Sequence, residues 1–251
     1  MEQKKGTLKK IGWIATGLAI LALVIAVVVL TMMFRKDLGY VKGVDLSAYQ
    51  GDVDFQQLEE QNIHFVYIKA TEGTHMEDIR FLDNWENVKK TSMAYGAYHF
   101  MDFEVGGRVQ ADYYIDRVPR SEKALPPVID IELYGEYLEK PMEAKKVKKN
   151  IKEMIERLTS YYEKSPIIYT NYQTYDLYLK NDFKDSRIWI ADYNSQEPGL
   201  SGGHKWVFWQ YTDRGLLNGY EGSERFIDMN AYNGEMSDFV KEFQLDTTPG
   251  K

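Results

Sequence analysis

Hydrophobic residues follow three different periods along this chain, and each period predicts a different element. In residues 11–33, IGWIATGLAILALVIAVVVLTMM, no charge interrupts 23 positions. As a helix this run reaches about 35 Å, enough to cross a bilayer. Lys4, Lys5, Lys9 and Lys10 precede it, and Arg35 and Lys36 follow it. The larger basic excess on the N-terminal side predicts residues 1–10 in the cytoplasm and everything after residue 33 outside. A cleaved signal peptide would have a shorter apolar core and a small-x-small site, which Val29-Leu30-Thr31-Met32-Met33 does not offer. A lipoprotein anchor needs a cysteine, and a buried soluble helix is rarely this long. The expectation is a single-pass signal anchor over 11–33. The linker over 34–40 spans about 25 Å at most, which keeps the following domain close to the membrane.

Past residue 40, short apolar runs alternate with segments of helical period. Val41–Leu46 reads as a strand, and Asp54 is an N-cap before FQQLEEQ. HFVYIKA (64–70) is a second strand, Asp78 opens a helix to about Lys90, and Met93–Phe100 is a third strand. A helix over Gly106–Val118 leads to a fourth strand, VIDIE (128–132). Pro141 marks the first turn of the longest helix, which runs to about Glu163 with Met142, Val147, Ile151, Ile155 and Leu158 as its apolar stripe. PIIYT (166–170), a helix over about Tyr172–Leu179 and RIWIAD (187–192) complete this alternation.

The pattern then changes. YNSQEPGLSGGHK (193–205) and TDRGLLNGYEGSER (212–225) are rich in Gly, Asn and Ser and lack helical period. The last strands, WVFWQY and FIDMN, are therefore joined by loops, and at least one of them is expected antiparallel. The predicted fold class is α/β, a modified TIM-like barrel over 41–243. Its eight strands and about five helices leave it thinned on one side, with a flexible tail over 244–251.

Composition narrows the chemistry. The chain has no cysteine, which excludes disulfides, thiolate metal sites and a thiol nucleophile. An exported domain without disulfides is common outside a bacterial cytoplasmic membrane. Four lysines and one glutamate fall within the first 34 residues, so the remainder carries 27 basic and 37 acidic residues, a balance of −10. That balance argues against nucleic acid or an anionic surface as partner of the folded domain. Four histidines without an HExxH motif give no support for a zinc site, and no GxSxG elbow is present. No metal or other cofactor is expected. Nineteen tyrosines and five tryptophans would suit a sugar-binding cleft, although most aromatics in any domain serve packing.

In a β/α barrel, chemistry gathers at the C-terminal ends of the strands. Here those ends carry Asp45, Glu72, Tyr98, His99, Asp130, Glu132, Tyr169, Asp192 and Tyr193, and the late strands add Trp209, Gln210 and Asp228. Singly, each has a structural reading: Asp45 can cap a turn, Asp192 can pair with Arg187 or Lys205, and His99 can be a satisfied barrel histidine. Asp130 and Glu132 are harder to dismiss. Two residues apart in an apolar strand, they face the same side, roughly 6.5–7 Å apart along the backbone. Close carboxylates push one pKa up, so that one stays protonated near neutral pH. Glycoside hydrolysis fits such a set, because one acid protonates the leaving oxygen while another negative group meets developing positive charge.

GVDLSAYQG (43–51), FVYIKATEG (65–73), GAYHF (96–100), VIDIE (128–132), IIYTNY (167–172), WIADY (189–193), FWQYT (208–212) and IDMNAYNG (227–234) resemble, in order, the motifs of glycoside hydrolase family 25. These are muramidases that cut the β-1,4 bond between N-acetylmuramic acid and N-acetylglucosamine in peptidoglycan. The resemblance covers about residues 42–243. It implies a barrel of five βα units followed by three strands, with Glu132 as general acid and Asp130 as the carboxylate that orients the substrate's 2-acetamido group. The implied mechanism is retaining and substrate-assisted. Asp45 and Asp228 match two further cleft acids, and Glu72 matches the acid of the ATEG segment. Asn62 stands where the family commonly has Gly, and Met76 replaces a frequent aromatic. The expected partner is peptidoglycan at the outer face of a bacterial cytoplasmic membrane. Two other readings stay open: a non-catalytic glycan-binding protein on a hydrolase fold, and a hydrolase of another N-acetylated glycan such as chitin.

Overall fold

The computed structural model describes residues 20–27, 40–246 and 249. Residues 20–27 are helical. The rest of the expected span over 11–33, and the linker over 34–39, lie outside the described residues. Among the described residues no helix is long and apolar enough to cross a membrane.

From Val41 onward the chain forms one compact unit. In chain order it contains β1 (Val41–Leu46), β2 (Asp52–Val53), α1 (Phe55–Glu60), β3 (Phe65–Glu72), β4 (Met76–Glu77), α2 (Phe81–Val88), β5 (Ala94–Phe100) and α3 (Gly107–Ile115). There follow β6 (Val128–Ile131), α4 (Ala144–Tyr162), β7 (Ile167–Asn171), α5 (Tyr172–Tyr178) and β8 (Arg187–Ala191). The C-terminal part holds β9 (Trp206–Gly215), β10 (Tyr220–Glu221), β11 (Ile227–Tyr232) and α6 (Met236–Phe243). Eight strands close in the order β1-β11-β9-β8-β7-β6-β5-β3, with β3 pairing back onto β1. The expected thin side lies where β8, β9 and β11 follow one another without helices. β9 runs parallel to β8 across a helix-free loop, whereas β11 is antiparallel to both β9 and β1. That loop is tied to the segment before β8: His204 bonds the Tyr175 hydroxyl of α5 at 2.9 Å and the Phe183 carbonyl at 3.0 Å.

Local chemistry explains several element boundaries. Asp54 caps α1 by accepting from the Gln56 and Gln57 amides, both at 3.1 Å. Asn62 adopts φ 66°, a left-handed turn that Asn tolerates in place of Gly. Two expected helix starts shift. The Asp78 carboxylate accepts from the Ala48 and Arg80 amides, so it ties a turn to the segment after β1 and α2 begins only at Phe81. Pro141 precedes α4 by three residues rather than opening it, and Met154 takes the buried position expected of Ile155.

The barrel interior is filled by complementary large and small residues. Gly43 on β1 lies beside Phe65 on β3, and Gly96 on β5 lies beside Tyr67. A Cβ at either glycine would come within 2.3 Å of the neighbouring ring, so the ring occupies the space a side chain would need. Helix α6, absent from the sequence-based assignment, adds Phe239 and Phe243 to this core. Phe239 contacts Phe65 and Tyr232, and Phe243 stacks on Phe208. Burying such a ring contributes about 1.5–3 kcal/mol, which ties the C-terminal helix to the barrel.

Gly96→Ala forces a methyl group against the fully buried Tyr67 ring. It is expected to lower unfolding stability by about 1–3 kcal/mol, read from urea titration of the full chain.

Candidate active site

The strand registers bring four carboxylates together. Asp45 on β1 and Asp228 on β11 are direct partners in an antiparallel pair, so their side chains share a face with Cβ atoms about 4.5–5.5 Å apart. Because β11 runs the opposite way, its first residues lie at the end of the barrel where the parallel strands finish. Asp130 on β6 is in register with Phe100 on β5 and Tyr169 on β7. Glu132 follows on the same face two residues later. All four line one hollow of about 200 Å³ together with Lys69, Tyr98, Phe100, Tyr169, Trp189 and Gln210.

Amide side chains hold the acids in place. Asn230 and Gln210 donate to Asp45 Oδ2 at 2.8 and 2.9 Å, and Gln210 also reaches Asp228 Oδ2 at 3.3 Å. Asn171 donates to Glu132 Oε1 at 3.2 Å. Asp130 Oδ1 is buried and has no hydrogen-bond partner among the described residues. Lys69, the one cation among the described lining residues, pairs with Glu72 at 2.7 Å and lies over the Phe100 ring.

Burial dominates the electrostatics. It raises Asp45 above the usual carboxylate range even though Asn230 and Gln210 favour its charged form. Burial, then repulsion from Glu132, raises Asp130 well above that range, with Lys69 opposing. Burial also raises Glu132, against the Asn171 donor. Asp228 is pushed up to about 9 by burial and then by the Asp45 charge. Like charges in a partly dewatered hollow keep protons that water would remove.

Of the twelve residues singled out from the sequence, Asp45, Asp130, Glu132, Asp228, Tyr98, Tyr169 and Gln210 line the hollow. Tyr193 borders it through its hydroxyl, 2.6 Å from Gln210 Oε1. Glu72 reaches it through Lys69. Three do not face it. His99 is fully buried between Thr71 and Gln110, and burial lowers it to about 4. It points outward because Tyr98 and Phe100, its neighbours on β5, point in. Trp209 is outward by the same alternation, its indole donating to the Asp192 carbonyl at 2.7 Å. The Asp192 carboxylate accepts from the Asn194 and Ser195 amides and so shapes the loop after β8. The sequence reading missed Lys69, Phe100, Trp189, Asn171 and Asn230. Phe100, Asn171 and Asn230 each lie two residues beyond a residue it named, so period-two counting could have found them.

The sequence model of glycosyl hydrolases family 25 matches residues 44–220. The chain belongs to that family. The fold of this family 25 hydrolase is shared with a family 25 glycosyl hydrolase from Bacillus anthracis, at a TM-score of 0.77 and 44% identity over 84% of this chain and 95% of that one. A lysozyme from Streptomyces coelicolor matches at a TM-score of 0.72 and 28% identity over 81% and 96%. Lysozyme M1 of Streptomyces globisporus is 30% identical over 213 residues, 79% of this chain and 69% of that relative. The domain is thus a glycoside hydrolase.

Asp228 sits at about 9 in the fold against 3.8 for an unburied aspartate. The folded chain therefore keeps a proton that the unfolded chain has already released. Stability falls as pH rises from about 4 to about 9, by up to about 1.4 kcal/mol per pH unit for this group. Thermal unfolding midpoints of the full chain should drop between pH 5 and 8, and Asp228→Asn should flatten that slope. An unchanged slope would place the retained proton elsewhere.

Proposed function

We propose that this family 25 hydrolase is a muramidase, cleaving the β-1,4 bond from N-acetylmuramic acid to N-acetylglucosamine in peptidoglycan. The observation that carries this reading is Asp130 Oδ1, a buried acceptor with no partner among the described residues, beside Glu132 in the hollow. An acetamido N–H supplies the missing donor. The lysozyme names of the relatives support the same substrate class.

In this mechanism the acetamido donor stabilises the Asp130 carboxylate, so the proton that burial keeps on the pair resides on Glu132. Glu132 gives it to the glycosidic oxygen as the C1–O bond breaks, and the acetamido oxygen bonds to C1 on the opposite face. Water then attacks C1, the acetamido bond opens, and Glu132 takes the water's proton. Two inversions give net retention without a sugar bound to the enzyme. Oriented by Asp130, the acetamido group needs no nucleophilic carboxylate beneath C1.

We also infer that residues 11–33 anchor the domain in a bacterial cytoplasmic membrane, with residues 1–10 inside and the barrel outside. The support is the uncharged run, its flanking lysines and the helical residues 20–27. Alkaline carbonate washing of membranes should leave the full chain in the pellet; release into the wash would end this inference.

For the activity, purified full chain in detergent should solubilise cell walls and expose new reducing ends at muramic acid. Glu132→Gln should lower that rate about 10²- to 10⁴-fold while retaining wall binding. Equal release by wild type and Glu132→Gln would overturn the assignment of the acid. Turnover of chitin oligomers but not of walls would move the substrate to another N-acetylated glycan.

A further inference from the structure

Between Asp45 and Asp228 lies a side chain whose hydrogen bonds leave it no freedom to turn. Gln210 projects from β9 into the hollow and is only 1% exposed. Its Oε1 accepts from the Tyr169 hydroxyl at 2.9 Å and from the Tyr193 hydroxyl at 2.6 Å. A phenol can donate or accept, but an ionised carboxylate only accepts, so the amide end facing the aspartates is the NH2 and the end facing the two phenols is the carbonyl. The Nε2 hydrogens must then point to Asp45 Oδ2 at 2.9 Å and Asp228 Oδ2 at 3.3 Å, which is where the structure has them. Asn230 repeats the device: its Oδ1 accepts from the Trp189 indole at 2.9 Å, and its Nδ2 donates to Asp45 Oδ2 at 2.8 Å.

The donors are unequally divided. Asp45 receives two short amide hydrogen bonds, and Asp228 receives one longer bond. Amide donors stabilise a carboxylate over a carboxylic acid. The two acids are direct strand partners, and one proton between them relieves their repulsion. We propose that Gln210 is a positioning residue of this site: held by Tyr169 and Tyr193, its carboxamide makes Asp45 the ionised acceptor and Asp228 the protonated donor.

The surroundings are consistent with this division. Asp213 on β9 and Glu224 before β11 raise Asp228 further, while Asp130 and Glu132 interact with Asp45 from the end of β6. Lys69 and Glu72 on β3 largely neutralise each other. Burial keeps Tyr98, Tyr169 and Tyr193 protonated, as donors toward this set. A sugar entering the hollow thus meets an acceptor at Asp45 and a hydroxyl-like donor at Asp228. This deepens the muramidase reading and rests on it for the identity of the sugar, though not for the proton's position.

The test uses the full chain in detergent micelles, with aspartate labelled at ¹³Cγ and resonances assigned through Asp45→Asn and Asp228→Asn. At pH 7, Asp45 should report a carboxylate and Asp228 a carboxylic acid. Gln210→Leu, close in volume but without donors, should narrow the gap between their titration midpoints. The same substitution should lower kcat on walls about 10- to 100-fold with KM changed less than about 3-fold, and should displace the alkaline limb of the pH–rate profile. Tyr193→Phe, which leaves Tyr169 to hold the amide, should show a smaller loss of the same kind. Identical titration of the two aspartates in wild type and Gln210→Leu would overturn the proposal. So would a rise in KM at unchanged kcat, because Gln210 would then be a sugar ligand. If wild type released no muropeptides while the titrations behaved as expected, the muramidase reading would fall and the role of Gln210 would stand.

Discussion

Four carboxylates share one partly dewatered hollow, and they cannot all be ionised there. The repulsion is strongest between Asp45 and Asp228, opposed across a strand pair, and between Asp130 and Glu132, two residues apart on β6 and its extension. Nearly everything else lining the site answers to this constraint. Asn230 and Gln210 direct donors to Asp45, Asn171 directs one to Glu132, and Lys69 opposes the rise at Asp130. Retained protons supply the rest, and a retained proton near neutral pH is what a general acid needs. The same burial that makes the site destabilising makes it reactive.

The barrel is what allows that burial. Its interior below the acids is a dry stack of rings, with Phe65 and Tyr67 accommodated by Gly43 and Gly96 and with Trp189 and Phe208 packed against them. Such a floor cannot solvate the charges above it, which adds to the burial of Asp45 and Asp130. The closing strand contributes in a different way. Antiparallel β11 presents its beginning, rather than its end, at the mouth, which brings Asp228 opposite Asp45 without a further helix or crossover.

A division of labour between the two ends of the hollow follows. In the proposed mechanism Asp130 offers an acceptor to the acetamido group and Glu132 a proton to the leaving oxygen, and both line the hollow. Asp45 and Asp228 are held through amides that are themselves fixed by tyrosine and tryptophan donors, and on the proposed reading they meet the sugar as acceptor and donor. Preorganisation of this kind needs each orienting group to be held in turn, and the chains Tyr169–Gln210–Asp45 and Trp189–Asn230–Asp45 do that.

Elements whose periodicity is strong were legible in the chain itself. β1 and the cap at Asp54 were placed to the residue, and the paired acids of VIDIE stood out because alternation puts two carboxylates on one face of an apolar strand. The loss of helical period after residue 192 foretold the helix-poor side of the barrel. What failed was the assignment of facing at strand ends: His99, Trp209 and Asp192 were grouped with inward neighbours, although adjacent residues of a strand point to opposite faces. Helix α6 and its plug of phenylalanines also went unseen, although Met236, Phe239, Val240 and Phe243 follow the helical period. The starts of strands and of three helices, and the order of the motifs, could be read along the chain, because these depend on neighbours a few positions apart. Which carboxylates oppose each other, which amides orient them and which protons survive burial emerged with the closed barrel, because those depend on contacts between residues up to 185 positions apart.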